Sequence, residues 1–290
     1  MSKFVILTDS SCDLSQELAD ELNVKVLPLS LTVKGKEYKN YLDGREIGFK
    51  EFYTMLRNGE NAKTSAINVA TFLNEMESIL KDGNDVLCLS FSSGLSNTYN
   101  ASKIAAEELS EKYPDRKIYS VDTLCASLGQ GMLVYLAAKE REKGKTIDEV
   151  KDFCENNKLN ICHIFTVDDL YHLKRGGRVS SAVALVGTML KIKPVLHMDN
   201  EGHLVNISKA RGRKESLESL IRRMDEYAIN PKDQTIFISH GDCYDDAKYV
   251  ENLIKEKFNV KEVIINYVGP VIGAHSGPGT LSIFFYGSQR

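Results

Sequence analysis

The sequence predicts two α/β domains, the first with a parallel sheet between helix layers and the second with a mixed sheet and helices. Short apolar runs alternate with helical patterns of about ten residues or more, which is typical of a parallel sheet covered on both faces. The length of 290 residues suits two domains, and the 42% hydrophobic content suits a globular protein. We place the domain boundary near residue 160, which gives domains 1–160 and 161–290.

Most strands predicted in the first 160 residues lead into a helix, while 24–33 and 37–41 are predicted to pair as a hairpin. The opening run is compact and apolar and ends in Thr8-Asp9-Ser10, as expected of a buried strand that feeds a turn. Pro28 suggests an edge position for the second strand. The predicted strands are 4–7, 24–33, 37–41, 85–89 and 117–121, and the predicted helices are 16–21, 49–57, 69–80, one that ends near 112, 125–142 and 146–156.

The second half begins with a strand that leads into a cationic turn with two glycines. A helix of small residues is predicted to follow this turn, and a glycine-rich stretch at 269–280 reads as a loop. The predicted strands are 162–167, 192–198, 203–208, 235–239, 263–267 and 281–286, and the predicted helices are 180–189, one that ends near 227, and 244–258.

Composition and spacing argue against several classes of protein. The net charge of -3 and the pI of about 6.1 disfavour a nucleic-acid binder. No apolar run of about 18 residues predicts a membrane-spanning helix, and no signal peptide is recognisable, so we expect a cytoplasmic protein. The cysteines form no C-x-x-C pair and the histidines no H-x-x-x-H spacing, so we expect neither disulfides nor a metal site.

The stretch 89–99, with the sequence L-S-F-S-S-G-L-S-N-T-Y, is the strongest candidate for a ligand site. It joins a strand to a helix, and such turns direct N–H groups and hydroxyls towards a ligand above the sheet. It lacks the lysine of a phosphate loop and the second glycine of a nucleophile elbow. The neutral hydroxyls of Ser92, Ser93, Ser96 and Thr98 suit a carboxylate, although a plain helix cap explains them equally well.

Three other elements are candidates for the same site. Thr64 and Ser65 either cap the next helix or supply a second set of donors to the same cleft. The Arg-Gly-Gly-Arg turn at 175–178 is either a surface turn or an anion site, because Arg binds carboxylate and phosphate bidentately. His275 lies in the glycine-rich loop, where it can donate to an anion or carry a proton.

Several of these motifs resemble the DegV family of lipid-binding proteins, which includes the fatty-acid-binding subunit of bacterial fatty acid kinase. They occur in the family order and extend over almost the whole chain. The matching stretches are Thr8-Asp9-Ser10, Lys63-Thr64-Ser65, 92–99, 121–123, 173–180 and 269–279.

The resemblance implies two α/β domains that bury the acyl chain of a long-chain fatty acid such as palmitate. It assigns the carboxylate to Thr64 and Ser96, on loops of the first domain, with Ser65 and Ser93 as further candidate contacts. His275 and Arg178, from the second domain, are the expected residues that assist phosphoryl transfer, and His275 also contacts the ligand. One departure is visible, because the family often has Thr-Ser-Gln-Pro where this chain has Thr-Ser-Ala-Ile at 64–67.

The resemblance also implies partners. The protein would not be an enzyme by itself and would need no cofactor. It would present the carboxylate to a separate ATP-dependent fatty acid kinase, which makes acyl phosphate for bacterial phospholipid synthesis. We expect a monomer that contacts a membrane surface transiently and binds no nucleic acid.

The physical chemistry of a fatty acid agrees with this assignment. Each buried CH₂ group contributes about 0.8 kcal/mol, so affinity would come mainly from the acyl chain, while the hydroxyls orient the carboxylate. A stripe of small and apolar residues after the cationic turn could line the chain, or could simply belong to the core. Its members are Ala182, Val183, Leu185, Val186, Met189 and Leu190.

Two alternatives stay open on the sequence alone. A serine-dependent hydrolase or acyltransferase would use Ser96 or Ser93 as nucleophile and His275 as base. A nucleotide or phosphosugar binder would use Arg178 together with the glycines at the strand ends.

Overall fold

The computed structural model describes residues 3–168, 170–179 and 192–290. The strands are β1 Phe4–Asp9, β2 Val24–Leu27, β3 Ser30–Val33, β4 Lys36–Lys39, β5 Ala62–Ser65, β6 Asp85–Ser90, β7 Ile118–Asp122, β8 Ile161–Thr166, β9 Ile192–Met198, β10 Leu204–Arg211, β11 Thr235–His240, β12 Glu262–Tyr267 and β13 Leu281–Tyr286. The described helices are α1 Gln16–Glu21, α2 Phe49–Arg57, α3 Val69–Lys81, α4 Thr98–Lys112, α5 Leu128–Glu142, α6 Ile147–Asn157, α7 Tyr171–Arg175, α8 Arg213–Tyr227, α9 Tyr244–Phe258 and α10 Pro270–Ser276.

The first sheet is parallel and has the strand order β2-β1-β6-β7. Every residue of β6 is buried, because helices cover both faces of the sheet. The strands point the same way, so their carboxyl ends at Asp9, Ser90 and Asp122 meet at one edge. A small antiparallel sheet, β4-β3-β5, adds the strand that carries Thr64.

The second sheet has the order β10-β9-β8-β13-β11-β12 and is mixed, since only β11 and β12 pair in parallel. Helix α5 packs against strands of both large sheets, and no residue in its first half is exposed. The two sheets therefore face each other across a shared layer. This arrangement confirms the predicted fold class, while the boundary at residue 160 stays a prediction.

At 24–33 and at 64–65 the local structure differs from what the sequence suggests. The apolar run 24–33 is two strands in two different sheets, because the chain leaves the first sheet at Pro28 and Leu29, between β2 and β3. Of the two readings of Thr64 and Ser65, the helix cap is wrong, because the cap is Asn68, whose side chain accepts a hydrogen bond from the N–H of Thr71.

The glycine-rich stretch that was predicted to be a loop contains helix α10, and His275 lies in its last turn. Pro270 occupies the first helical turn, where a missing N–H costs nothing. Gly273 lets the helix approach α2 closely, since a Cβ there would lie 2.5 Å from the Tyr53 hydroxyl. Close packing of the helix therefore explains Gly273, one of the glycines that suggested a loop.

The helix predicted at 180–189 and its six candidate lining residues lie outside the described residues. Within the described part of the chain, no helix is both long enough and apolar enough to cross a membrane.

Candidate functional site

A cavity of about 270 Å³ lies where the serine turn, the end of β5, the inner face of the second sheet and helix α10 meet. Its described lining is mainly apolar and includes Phe91, Phe165, Leu173, Met198 and Phe284. No Asp, Glu or Lys belongs to that described lining, in which Arg178 is the only permanent charge. The cavity therefore suits a mostly apolar ligand that carries one negative charge.

A pair formed by Thr64 and His275 lies at the polar part of this cavity. The hydroxyl oxygen of Thr64 is 2.8 Å from Nε2 of His275. Strand β5 supplies the threonine and helix α10 the histidine, so the pair joins residues 211 positions apart. If Nε2 carries the ring proton and donates to Thr64, the threonine hydroxyl is free to donate to a ligand.

His275 is neutral at physiological pH. Burial, together with the nearby positive charges of Arg178 and Arg175, lowers its pKa to about 4. Its Nδ1 atom is buried and has no hydrogen-bond partner in the described part of the chain. Gly176 lies against this nitrogen, since a Cβ on that glycine would be only 2.2 Å from it. The Nδ1 side of the ring therefore lies against the backbone at Gly176, while the Nε2 side contacts Thr64.

Arg178 is held in place by main-chain oxygens. Its Nε donates to the carbonyl oxygen of Leu95 at 3.2 Å, and its Nη1 donates to that of Gly176 at 2.5 Å. Burial lowers the pKa of the guanidinium, which still carries its charge at any physiological pH. The first of these bonds links the cationic turn to the serine turn, so Arg178 holds a positive charge at the cavity between the two.

Within the serine turn, only Ser96 lines the cavity among the hydroxyl residues singled out from the sequence. Its hydroxyl is 2.9 Å from that of Thr98 and accepts from the N–H of Thr98 at 3.2 Å. A hydroxyl that accepts from the start of α4 still has its own proton to donate. Ser96 therefore acts as a local cap and is also available to a ligand.

Ser92 and the glycine of the turn serve contacts between the two sheets. The Ser92 hydroxyl donates to the carbonyl oxygen of Gly202 at 2.9 Å. A Cβ at Gly94 would lie 2.7 Å from the same oxygen, so only glycine allows this approach. The close contact with Gly202 is therefore enough to explain why residue 94 is glycine, without any ligand.

The structure brings four of the predicted site residues together and places two others further out. Thr64, Ser96, Arg178 and His275 all line the cavity. Ser65 lines it too but is exposed. Ser93 is exposed and is not part of the lining, and its N–H donates to the Asp122 side chain at 3.2 Å.

Sequence reasoning missed several polar residues of the lining, among them Ser127, Ser276 and Ser282. One signal was available for Ser282, because a serine in the otherwise apolar strand at 281–285 is unusual. Ser127 gave no such signal, since its place depends on how α5 begins between the two sheets.

The geometry of the cavity argues against the two alternatives, a serine hydrolase or acyltransferase and a nucleotide or phosphosugar binder. His275 bonds Thr64 and makes no hydrogen bond to Ser96, and its free nitrogen faces no carboxylate in the described lining. A nucleophile, a base and an orienting acid are therefore not assembled here. For a nucleotide, Arg178 is the only permanent cation that the described lining offers to a chain of phosphates. Within the described residues, no cluster of His, Cys, Asp or Glu could hold a metal ion.

The carboxyl end of β1 carries two buried acids behind the cavity. Asp9 accepts from the N–H and hydroxyl of Ser11 and from the N–H of Phe91, at 3.1, 2.5 and 2.8 Å. Asp13 accepts from the Ser127 hydroxyl at 2.6 Å, and burial raises its pKa to about 8. Because Phe91 and Ser127 both line the cavity, these acids position two parts of its wall.

Comparison with known proteins places the chain in one family along its whole length. The family described as "Uncharacterised protein, DegV family" matches residues 3–288. A DegV domain-containing protein of Clostridium perfringens is 48% identical over 290 residues, which is 100% of this chain and 99% of that protein.

Two solved structures show the same fold. A DegV family protein from Thermus thermophilus, described for its fatty acid binding, has a TM-score of 0.89 and 31% identity, over 98% of this chain and 99% of its own. DegV of Bacillus subtilis, described as a fatty acid binding protein, has a TM-score of 0.85 and 29% identity, over 98% and 99%. These matches confirm the resemblance seen in the sequence motifs, and this chain belongs to the DegV family.

Proposed function

We propose that this protein binds a long-chain fatty acid, with the acyl chain in the cavity between the sheets and the carboxylate at Thr64, Ser96 and Arg178. The observation that carries the proposal is the Thr64–His275 pair beside Arg178, in an otherwise largely apolar cavity whose described lining contains no acid. The two DegV proteins of known structure described above as binding fatty acids support it.

The two parts of the ligand have different tasks. Each CH₂ group that leaves water contributes about 0.8 kcal/mol, so the acyl chain supplies most of the affinity. The carboxylate loses hydration when it enters the site and needs hydrogen bonds in return. Thr64 and Ser96 each have a hydroxyl proton to donate, and Arg178 supplies the compensating charge.

His275 orients the threonine in this proposal. A neutral ring that donates from Nε2 occupies one acceptor position of Thr64 and turns the hydroxyl proton towards the ligand. The low pKa of about 4 keeps the ring neutral in the ligand-free site. A bound carboxylate would raise that pKa, because a nearby negative charge favours the protonated ring.

The further step of the proposal is presentation to a kinase. The exposure of Ser65 and Asn97 leaves part of the cavity lining open to the surface, where a second protein can reach the carboxylate. We propose that a separate ATP-dependent fatty acid kinase phosphorylates the bound acid there, in the cytoplasm, and that the acyl phosphate serves phospholipid synthesis. In this account the protein acts as a monomer without a cofactor, binds no nucleic acid, touches a membrane only transiently, and performs no chemistry alone.

Mass spectrometry tests the binding step. Denatured protein is extracted with organic solvent, and the extract is searched for acyl chains. Lipid-free protein is then mixed with palmitate and passed through a desalting column. We expect a co-purified or retained fatty acid at about one per chain. Protein that carries no lipid and retains none would overturn the proposal.

A further inference from the structure

One wall of the cavity carries hydroxyl groups with unused hydrogen-bonding capacity among the described residues. Ser282 is only 6% exposed, and its side-chain hydroxyl makes no hydrogen bond within the described part of the chain. Ser276 is equally buried, and its hydroxyl oxygen has no partner among the described residues. Between them, Thr280 donates to the carbonyl oxygen of Gly277 at 2.8 Å and keeps its lone pairs free.

The sheet register shows which way Ser282 points. It pairs with Phe165 on β8, and two residues further Phe284 pairs with His163. Side chains of directly paired residues lie on the same face of a sheet, as do those two positions apart in a strand. All four residues line the cavity. Because β13 is an interior strand of the sheet, the accessible surface of Ser282 is the surface that faces the cavity.

The surroundings of Ser282 make an unused hydroxyl costly. His163 cannot serve it, since Nδ1 of that ring is 2.9 Å from the carbonyl oxygen of Ile161 and Nε2 accepts from the N–H of Ala126. The Ser127 hydroxyl is committed to Asp13. An unbranched hydrocarbon chain would cover Ser282 without offering a donor or acceptor, and a buried polar group without a partner is destabilising.

We propose that this cavity selects an acyl chain that carries a hydrogen-bonding oxygen, a hydroxyl or keto group, at the depth of Ser282. This inference rests on the proposed fatty acid binding and adds a ligand class to it. The carboxylate lies at Thr64, the apolar part of the chain packs on Phe91 and Met198, and the added oxygen meets the Ser282 hydroxyl. Ser276 and Thr280 extend the same polar wall towards His275.

A competition experiment with defined ligands tests the proposal. Octadecanoic acid and a series of its monohydroxylated positional isomers displace a fluorescent fatty acid from the lipid-free protein. We expect at least one isomer to bind about fivefold or more tightly than octadecanoic acid, a factor that corresponds to about 1 kcal/mol. The preferred position of the hydroxyl reports the depth of Ser282.

The variants Ser282→Ala and Ser282→Cys test whether the Ser282 hydroxyl causes this preference for a hydroxylated chain. We expect both to bring the ratio of affinities close to one while octadecanoic acid binds at least as well as before. Ser219→Ala is the control, because it removes a buried hydroxyl from α8, away from the cavity. It should leave the ratio unchanged. If one of the two variants is unstable, the other still tests whether Ser282 causes the preference.

The outcomes separate this inference from the proposed function. If octadecanoic acid binds and no hydroxylated isomer binds more tightly, fatty acid binding stands and the selection is refuted; an ordered water on Ser282 would produce this result. A preference that survives in both Ser282 variants also refutes it. If no acid binds at all, the proposed function fails and the inference fails with it.

Discussion

Two polar clusters lie against the same cavity, and they differ in what satisfies them. At the carboxyl end of β1, Asp9 takes three hydrogen bonds from its own chain and is fully buried. At the cavity, Thr64 has a single neutral partner in His275, and Arg178 brings a charge with no acid in the described lining. The Asp9 carboxylate has its hydrogen-bond partners without a ligand, whereas the residues at the cavity leave donors and charge for an anion.

This contrast separates a structural cluster from a binding cluster. Both follow strands and both are rich in hydroxyls, so they look alike in the sequence. They differ in the balance between donors, acceptors and charge, which becomes visible only when partners are known. The contrast predicts that changes in the Asp9 cluster act on stability and that changes around Thr64 act on the ligand.

The largest effect is expected from Asp9→Ala. It leaves the buried N–H groups of Ser11 and Phe91 without acceptors, and each such loss costs about 1–3 kcal/mol. We expect the free energy of unfolding to fall by about 3 kcal/mol or more, measured by urea denaturation. Asp43→Ala, an exposed acid paired with Arg45, is the control and should change it by about 0.5 kcal/mol or less. Equal effects of the two variants would contradict a structural role for Asp9.

The next effect concerns His275→Ala and the kinase step. We expect fatty acid binding to change by less than about threefold, because the acyl chain supplies most of the affinity. Acyl phosphate formation with a bacterial fatty acid kinase and ATP should fall by about 100-fold, the scale of a lost positioning or proton-transfer group. His203→Ala, which alters an exposed histidine, is the control. Unchanged turnover in the His275 variant would remove this residue from the account.

Thr64→Val should weaken the ligand while leaving the fold intact. Valine suits a strand and replaces the hydroxyl by a methyl group, so one hydrogen bond to the carboxylate is lost. A bond to a charged group is worth about 1.5–3 kcal/mol, so we expect affinity for palmitate to fall by about tenfold or more. Thr32→Val, in the neighbouring strand β3 and outside the cavity lining, is the matched control. A loss of melting temperature without a loss of affinity would contradict the assignment.

A different kind of effect is a pH dependence of the unfolding free energy, carried by Asp13. Its pKa in the folded protein is raised to about 8 by burial, well above the usual value near 3.9. The folded state therefore binds this proton more tightly, and the stabilisation is complete below about pH 4 and is lost as the pH rises towards 8. Asp13→Asn should flatten the fall of unfolding free energy in this window, by up to about 1.4 kcal/mol per pH unit. Parallel curves for the two proteins would show that Asp13 does not carry the proton.

Much of the fold follows from local patterns in the sequence. Between Asp85 and its serine end the buried strand at 85–90 is an uninterrupted apolar run, so the strand, the turn and helix α4 could be predicted from adjacent residues. Four of the residues predicted for the site line one cavity, and their grouping came from the family resemblance, since Thr64 and His275 are 211 positions apart. No local pattern could bring them together.

The wrong predictions have one physical cause, which is contact between residues that are far apart in the sequence. Glycines at 273 and 94 suggested a loop and a ligand turn, and both are explained by backbone that approaches from far along the chain. Thr64 and Ser65 suggested a helix cap because their pairing with β3 is not local. The Ser92 hydroxyl bonds to Gly202, whereas the Ser282 hydroxyl has no partner among the described residues. Which of these happens depends on the residues that lie opposite, and those come from distant parts of the chain.

The most direct test of fatty acid binding at Thr64 and Arg178 is an NMR titration of palmitate labelled with ¹³C at the carboxyl carbon. In the wild-type protein we predict one bound carboxyl resonance that remains ionised at lower pH than free palmitate, because hydroxyl donors and a guanidinium favour the charged form. Thr64→Val and Arg178→Gln should each raise the pKa of the bound carboxyl. A bound signal whose position and pKa are the same in wild type and both variants would contradict this account.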